Sequence, residues 1–384
     1  MNFEFATSHR IIFGNGALAK LASFAPDYGR CALVVTGRGS VPIDPLSSVL
    51  ENANLEYVIF RVQGEPDIEI IQKGYATAID SKCDFVIGYG GGAAIDAAKA
   101  ISALMTNPGD LMNYLEVIGN GQSIQNPAAP MIALPTTAGT GTEVTRNAVI
   151  ASREYRVKVS MRSPLMIPRI AIVDPELTYT MPPEVTASTG MDALIQVIEA
   201  YVSNSANPMT DVIAREGIIR GSRSLLKAYQ NGLDKNARED MSLTSLFGGI
   251  ALANAGLGAV HGFAGPIGGM FDAPHGKVCA CLLPPVMKYN AIALSQLEGG
   301  DAIKQRYKEI ASILTGHPDS PIEDGVQWVS HLAQQLSIQG LRFLGIKREN
   351  FDEIVEKSMI SSSMQKNPVK LEREVLLEIL EEAF

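Results

Sequence analysis

The first half of the chain alternates short apolar runs with stretches of helical spacing. Cys31-Ala-Leu-Val-Val-Thr36 is apolar at nearly every position and reads as a strand buried on both faces. Asp44-Pro45 then offers an N-cap followed by proline at the first helical position. Glu56 to Val62 reads as a second strand, and Asp67 to Lys82, apolar at intervals of three and four, as a helix. Cys83 to Gly88 is a third strand with a helix over Ala93 to Leu104 behind it, and Met131–Leu134 and Ile170–Val173 add two more strands. Between these last two, Asn147 to Met161 alternates apolar and polar residues, the pattern of a hairpin. Strands alternating with helices predict βαβ units and a mainly parallel sheet.

After Asp174 the rhythm changes. From about Pro183 onward the periodicity is helical throughout, and Pro182-Pro183 marks the boundary. The expected architecture is an α/β domain over residues 1–182 and an all-α domain over residues 183–384, an arrangement whose ligands usually sit in an interdomain cleft. Leu246 to Met270 carries no Asp, Glu, Lys or Arg and is long enough to cross a bilayer. Its glycines, Asn254, His261 and Pro266 interrupt it, so a buried segment packed closely by other helices is expected instead.

Composition narrows the function. With 46% hydrophobic and 19% charged residues over 384 positions, the chain can bury a large core without staples. Thirty-two basic against forty-one acidic residues give a net charge of −9, and no basic run is dense enough for a phosphate backbone, which argues against nucleic acid. The cysteines (Cys31, Cys83, Cys279, Cys281) form neither a disulfide framework nor a Cys-x-x-Cys metal pair, as expected of a reducing cytoplasm. Residues 1–10 lack a charged region followed by an apolar one, so no secretion signal is expected.

Three glycine-rich turns follow predicted strands. In Gly88-Tyr-Gly-Gly-Gly-Ala-Ala-Ile-Asp-Ala-Ala-Lys99, three consecutive glycines allow close approach of a ligand, and the next helix aims its N–H groups at the same spot. That is an anion site suited to pyrophosphate, with Asp96 in the first turn, where a carboxylate suits the dipole. Pro135-Thr-Thr-Ala-Gly-Thr-Gly-Thr-Glu143 crowds hydroxyls and glycines after another strand, a composition suited to phosphate or ribose. Thr36-Gly-Arg-Gly-Ser40 lacks the third glycine of Gly-x-Gly-x-x-Gly and is a weak fingerprint.

The helical half offers donors. Asp192 and Gln196 lie four apart within Gly190 to Tyr201 and share a helix face, and His261 and His275 stand in the least polar part of the chain. A carboxylate, an amide and two imidazoles together suit a divalent cation with an open position. Cys279-Ala-Cys281, in an apolar run, reads as core.

At these residues the sequence resembles the iron-containing, group III, alcohol dehydrogenases. Gly90 to Lys99 resembles the family's Gly-Gly-Gly-Ser-x-x-Asp-x-Ala-Lys with Ala93 in place of serine; Pro135 to Val144 resembles its second cofactor motif. Pro168 to Leu177 resembles the stretch leading towards its metal helix, Gly190 to Tyr201 that helix, and His261 to Pro284 its signature around two ligand histidines. The resemblance implies a dehydroquinate synthase-like fold, a Rossmann-like nicotinamide-binding domain followed by a helical metal- and substrate-binding one. It implies that Gly90, Gly91, Gly92 and Ala93 hold the pyrophosphate, and that Thr136, Thr137, Thr140, Lys158 and Leu177 contact the cofactor, with Asp96 a further cofactor-binding candidate from the first turn. Asp192, His261 and His275 fall on metal-ligand positions, the two histidines being the catalytic candidates; Gln196 stands where the fourth ligand is ordinarily histidine. Gly265 stands where many members carry another histidine.

The implied reaction is hydride transfer between a small alcohol or aldehyde and NADP or NAD, with Fe or Zn as a Lewis acid on the alcohol oxygen. Gln196 predicts weaker metal binding than is usual in the family. NAD-using members carry aspartate where this chain has Gly37, and Arg38 follows, so NADP is favoured. A small-molecule alcohol or aldehyde substrate, no nucleic-acid or membrane partner and a homodimer or higher homo-oligomer are expected. Two competing readings are a metal-assisted lyase of the dehydroquinate synthase type and a metal-free binding protein that retains the fold.

Overall fold

The computed structural model describes residues 2–37, 42–271 and 273–384. They form two compact units, Ala6–Met181 and Pro182–Phe384, the second joined by the residues up to Phe5.

In the first unit six parallel strands form one sheet. They are β1 (Arg10–Phe13), β2 (Cys31–Gly37), β3 (Glu56–Val62), β4 (Phe85–Gly90), β5 (Met131–Pro135) and β8 (Ile170–Val173), in the order β1-β8-β5-β4-β2-β3. Between β5 and β8 the chain makes an antiparallel hairpin, β6 (Asn147–Ser152) and β7 (Val157–Arg162), in which Asn147 faces Arg162. Side chains alternate along each strand. Leu33, Val35, Val86 and Ala133 pack on one face against α2 (Ile68–Asp80), α3 (Gly92–Thr106) and the hairpin. Val34, Ile87, Ile132 and Ile172 pack on the other against α1 (Asp44–Asn52) and the 3-10 turns at Ala17–Ser23 and Ala25–Tyr28.

The departures are local. Asp44 is the first residue of α1 rather than its cap, which is Ile43, a one-residue shift of the helix start. Strand β1 was not expected: it is four residues long, begins with an arginine and takes its order from pairing with β8. Cys31 and Cys83, distant in sequence, bring their Sγ atoms to 3.7 Å as free thiols.

The second unit is helical. Its elements are α4 (Pro183–Val202), α5 (Pro208–Gln230), α6 (Lys235–Ala255), α7 (Ala259–Met270), α8 (His275–Gln296), α9 (Asp301–Thr315), α10 (Ile322–Gln335), α11 (Phe351–Met359) and α12 (Arg373–Ala383). Helices α4, α5 and α6 pack on one another, and α8 packs on both α4 and α7. The start of α5 shows how polar residues fix these ends. Asn207 Oδ1 accepts from the Met209 and Thr210 N–H groups, and Thr210 Oγ1 accepts in return from Asn207 N–H. The apolar stretch at Leu246 to Met270 is two pieces, the end of α6 and all of α7, bent by 98°. Helix α8 is long and apolar enough to cross a membrane, but more than half of its apolar stretch is buried inside the protein and it contains Pro284 and Pro285.

Candidate active site

Two places in the chain concentrate the predicted chemistry, one in each unit. The first lies at the carboxyl ends of the parallel strands, where β2 runs between β3 and β4 and the strand order reverses. Open α/β sheets bind their ligands at such a switch point. Gly90 pairs with Pro135 in the ladder and its carbonyl accepts from Thr136 N–H, so the two glycine turns lie side by side. They touch closely. A Cβ at Gly92 would sit 2.8 Å from Thr140 Cγ2, and one at Gly90 would sit 2.7 Å from the Ala94 Cβ and 3.4 Å from Gly37 N. Gly37, Gly90, Gly91, Gly92, Ala93, Thr136, Thr137 and Thr140 are thereby brought together, with Gly91 as the N-cap of α3 and no side chain capping it. A helix start with bare N–H groups and no Cβ in the way fits a pyrophosphate.

Other predicted cofactor residues are placed differently. Asp96 is not in the first turn of α3 but its fifth residue, and it faces inward. It accepts from Thr142 Oγ1 and from Val149 N–H (3.1 Å) and pairs with Lys99 at 3.0 Å, which makes it an internal strut. Lys158 on β7 pairs with Glu65 at 3.2 Å, and Leu177 is buried among core residues such as Ile12 and Ile172. Arg38 and Ser40 lie outside the described residues.

The second place is in the helical unit. Asp192 on α4, His261 on α7, and His275 and Cys279 on α8 bring one ligand atom each to within 4.8 Å of one another. Helix α8 can come this close to α4 because of a glycine: a Cβ at Gly276 would lie 2.0 Å from the Ser188 carbonyl oxygen. His261 Nε2 is 3.1 Å from Asp192 Oδ1, and His275 Nε2 is 3.8 Å from the same oxygen. Asp192 is buried, whereas the His275 side chain keeps 36% of its surface open. Gln196 is buried one turn after Asp192, and its amide donates to the Asp192 carboxylate. A Cβ at Gly265, one turn after His261, would meet nothing within 4 Å.

Behind His261 stands Glu199, which no sequence motif marks. Glu199 Oε2 is 2.6 Å from His261 Nδ1, and Glu199 Oε1 accepts from Val260 N–H at 2.7 Å. Glu199 lies seven residues after Asp192 on the same face of α4 and is the one charge in an apolar run. That spacing was the available signal. Asn367 completes the support: its Oδ1 accepts from Ala259 N–H (3.1 Å), and it exchanges hydrogen bonds with Asn290, which also donates to the Tyr307 hydroxyl.

The electrostatics are those of a cation site. Burial alone would lower both imidazole pKa values, but Cys279 and Asp192, joined at His261 by Glu199, outweigh it and raise them. Burial likewise opposes charge on Asp192 and Cys279, yet the facing imidazoles hold both below their usual values. His261 sits between two carboxylates, with Glu199 on Nδ1 and Asp192 on Nε2. A metal-bound histidine characteristically gives its other N–H to a carboxylate, which leaves the inner nitrogen for the ion. Carboxylate, two imidazoles and a thiol at this spacing fit a divalent transition ion such as Fe or Zn.

Comparison with known proteins places these sites in context. Residues 8–175 match the family described as "Iron-containing alcohol dehydrogenase", and residues 186–384 its C-terminal portion, "Fe-containing alcohol dehydrogenase family, C-terminal". Alcohol dehydrogenase 4 of Saccharomyces cerevisiae is 35% identical over 379 residues, 97% of this chain and 96% of that one. The crystal structure of a 1,3-propanediol oxidoreductase superposes with a TM-score of 0.92 at 33% identity, covering 100% of both chains. Sulfoacetaldehyde reductase from Bifidobacterium kashiwanohense, solved in complex with NAD+, gives 0.88 at 27% identity over 100% of this chain and 99% of that one. The chain is an alcohol oxidoreductase with a parallel-sheet unit and a helical unit. It belongs to the iron-containing alcohol dehydrogenase family.

Proposed function

We propose that the protein interconverts a small primary or secondary alcohol and its aldehyde or ketone, with NADP or NAD and a divalent cation. The observation that carries this reading is the convergence of Asp192, His261 and His275 on one point, with Glu199 behind His261, in a chain of this family. Asp192, His261 and His275 would hold the cation, which would supply Lewis-acid polarisation of the alcohol oxygen, while a nicotinamide would supply the hydride donor or acceptor.

The chain's own residues supply placement. Glu199 holds the proton of His261 at Nδ1 and so turns Nε2 toward Asp192. Gln196 donates to Asp192 and fixes the carboxylate. The paired turns at Gly90–Gly92 and Thr136–Thr140 would hold the cofactor's pyrophosphate, since the start of α3 is uncapped by any side chain and the turns approach closely. Gly265 brings no imidazole to its turn of α7, so it holds no proton there.

The expected test result is oxidation of NADH or NADPH, read by nicotinamide absorbance, with one or more short aldehydes in the presence of Fe²⁺ or Zn²⁺. His261→Ala should lower kcat/KM by roughly a hundredfold. No turnover with a broad aldehyde panel would refute the reading. We infer a preference for NADPH from Gly37, which supplies no carboxylate to repel a 2′-phosphate, and from the Arg38 that follows it in sequence. Arg38→Ala should weaken NADPH more than NADH, and a higher kcat/KM with NADH in the unmodified protein would overturn the preference.

A further inference from the structure

The donor cluster holds one side chain more than the proposed function uses. We propose that Cys279, rather than Gln196, is the fourth protein donor to the cation, so that the centre is an aspartate–histidine–histidine–cysteinate site. This rests on the reading that Asp192, His261 and His275 hold a cation.

The distances carry it. Zinc–sulfur and zinc–nitrogen bonds of about 2.3 and 2.0–2.1 Å at the tetrahedral angle put the two donor atoms about 3.6 Å apart. Cys279 Sγ and His275 Nε2 are 3.6 Å apart. Two other edges of the same figure, His261 Nε2 to Asp192 Oδ1 and His275 Nε2 to Asp192 Oδ1, measure 3.1 and 3.8 Å. The figure is nearly a coordination shell before any ion enters it.

Local structure supports the same assignment. His275 and Cys279 are four apart on α8 and share a face. Cys279 is wholly buried, and its sulfur lies in one cluster with two imidazoles and a carboxylate. Gln196 turns its amide N–H to Asp192, and its carbonyl oxygen lies against α6, 3.1 Å from where a Cβ at Gly248 would stand. Gln196 is therefore a positioning residue and Cys279 a donor. On binding, the S–H proton leaves to solvent and the sulfur lone pair forms the bond to the ion. A thiolate also changes selectivity, favouring zinc and cobalt over magnesium and manganese more strongly than an amide oxygen would.

Metal-free full-length protein titrated with Co²⁺ tests this directly. Cobalt held by sulfur gives an intense near-ultraviolet charge-transfer band, whereas cobalt held only by oxygen and nitrogen does not. Wild type, Cys281→Ser and Gln196→Ala should show the band. Cys279→Ser should lose it and bind cobalt at least about tenfold more weakly. Stoichiometric cobalt without the band in wild type, or a band that survives Cys279→Ser, would overturn the thiolate donor and leave the three-donor site standing. No cobalt uptake by wild type would overturn both.

Discussion

Glutamine in place of Glu199 would separate the support of the metal site from its donors. Glu199 is 4% exposed and makes two bonds, to His261 Nδ1 at 2.6 Å and from Val260 N–H at 2.7 Å. Glutamine keeps the shape and one acceptor. Val260 N–H, fixed in the first turn of α7, retains the amide oxygen, so the NH2 turns toward His261 Nδ1. Two donors would then face each other unless the imidazole moves its proton to Nε2, the nitrogen the ion needs. One charge-assisted hydrogen bond is lost, about 1.5–3 kcal/mol. Converted to binding, that is about ten- to a hundredfold in affinity, the range found when a partner behind a metal-bound histidine is removed. The assay is a zinc titration against a chromophoric chelator, with urea unfolding of the metal-free forms alongside. Unchanged zinc affinity in a Glu199→Gln protein that unfolds like wild type would refute the reasoning.

Three further outcomes are expected. Gly276→Ala puts a methyl group where the Ser188 carbonyl oxygen lies 2.0 Å away, so α8 must move from α4; stability should fall by about 1–3 kcal/mol or more and zinc affinity with it, checked by urea unfolding and the same titration. Lys99→Met removes an ammonium that pairs with Asp96 and donates to Thr142, Thr145 and the Asn147 carbonyl, and should cost about 3–5 kcal/mol in chemical denaturation. Burial pushes the Glu143 carboxyl up to about 7 from 4.5, so the folded protein holds this proton after the unfolded chain has lost it. Its stability contribution is therefore intact below pH 4.5 and declines as pH rises to 7, by about 3 kcal/mol in all; the advantage of Glu143→Gln over wild type should grow across that window and level off above it.

Much of the architecture was legible because its signals are local. Strands buried on both faces show as unbroken apolar runs, and the β6–β7 hairpin shows as alternation. Strand β1 was illegible because four residues at a sheet edge take their order from β8, more than 150 positions away. The helix that carries Asp96 is legible but the inward direction of its carboxylate is not: its partners Thr142 and Val149 come from another segment, which spacing along α3 does not reveal. The site divides similarly. The four-residue step that joined Asp192 to Gln196 also joins His275 to Cys279, but a cysteine in an apolar run carries the signature of a core residue until α4 and α7 are placed beside it. Glu199 acquires its role only through the bend between α6 and α7, which delivers Val260 and His261 to it.

The hydrogen bonds of Asn367 bear on how the protein is made. Its side chain satisfies the Ala259 N–H from 108 residues further along the chain and exchanges bonds with Asn290. Ribosomes synthesise Asp192, His261, His275 and Cys279 first and the residue that locks their frame much later. A chain interrupted before residue 367 would possess every proposed donor yet leave buried amide groups without partners, at about 1–3 kcal/mol each. Such a product differs from the finished protein less in what it can coordinate than in how often it opens, and it is the opening that chaperones and proteases read.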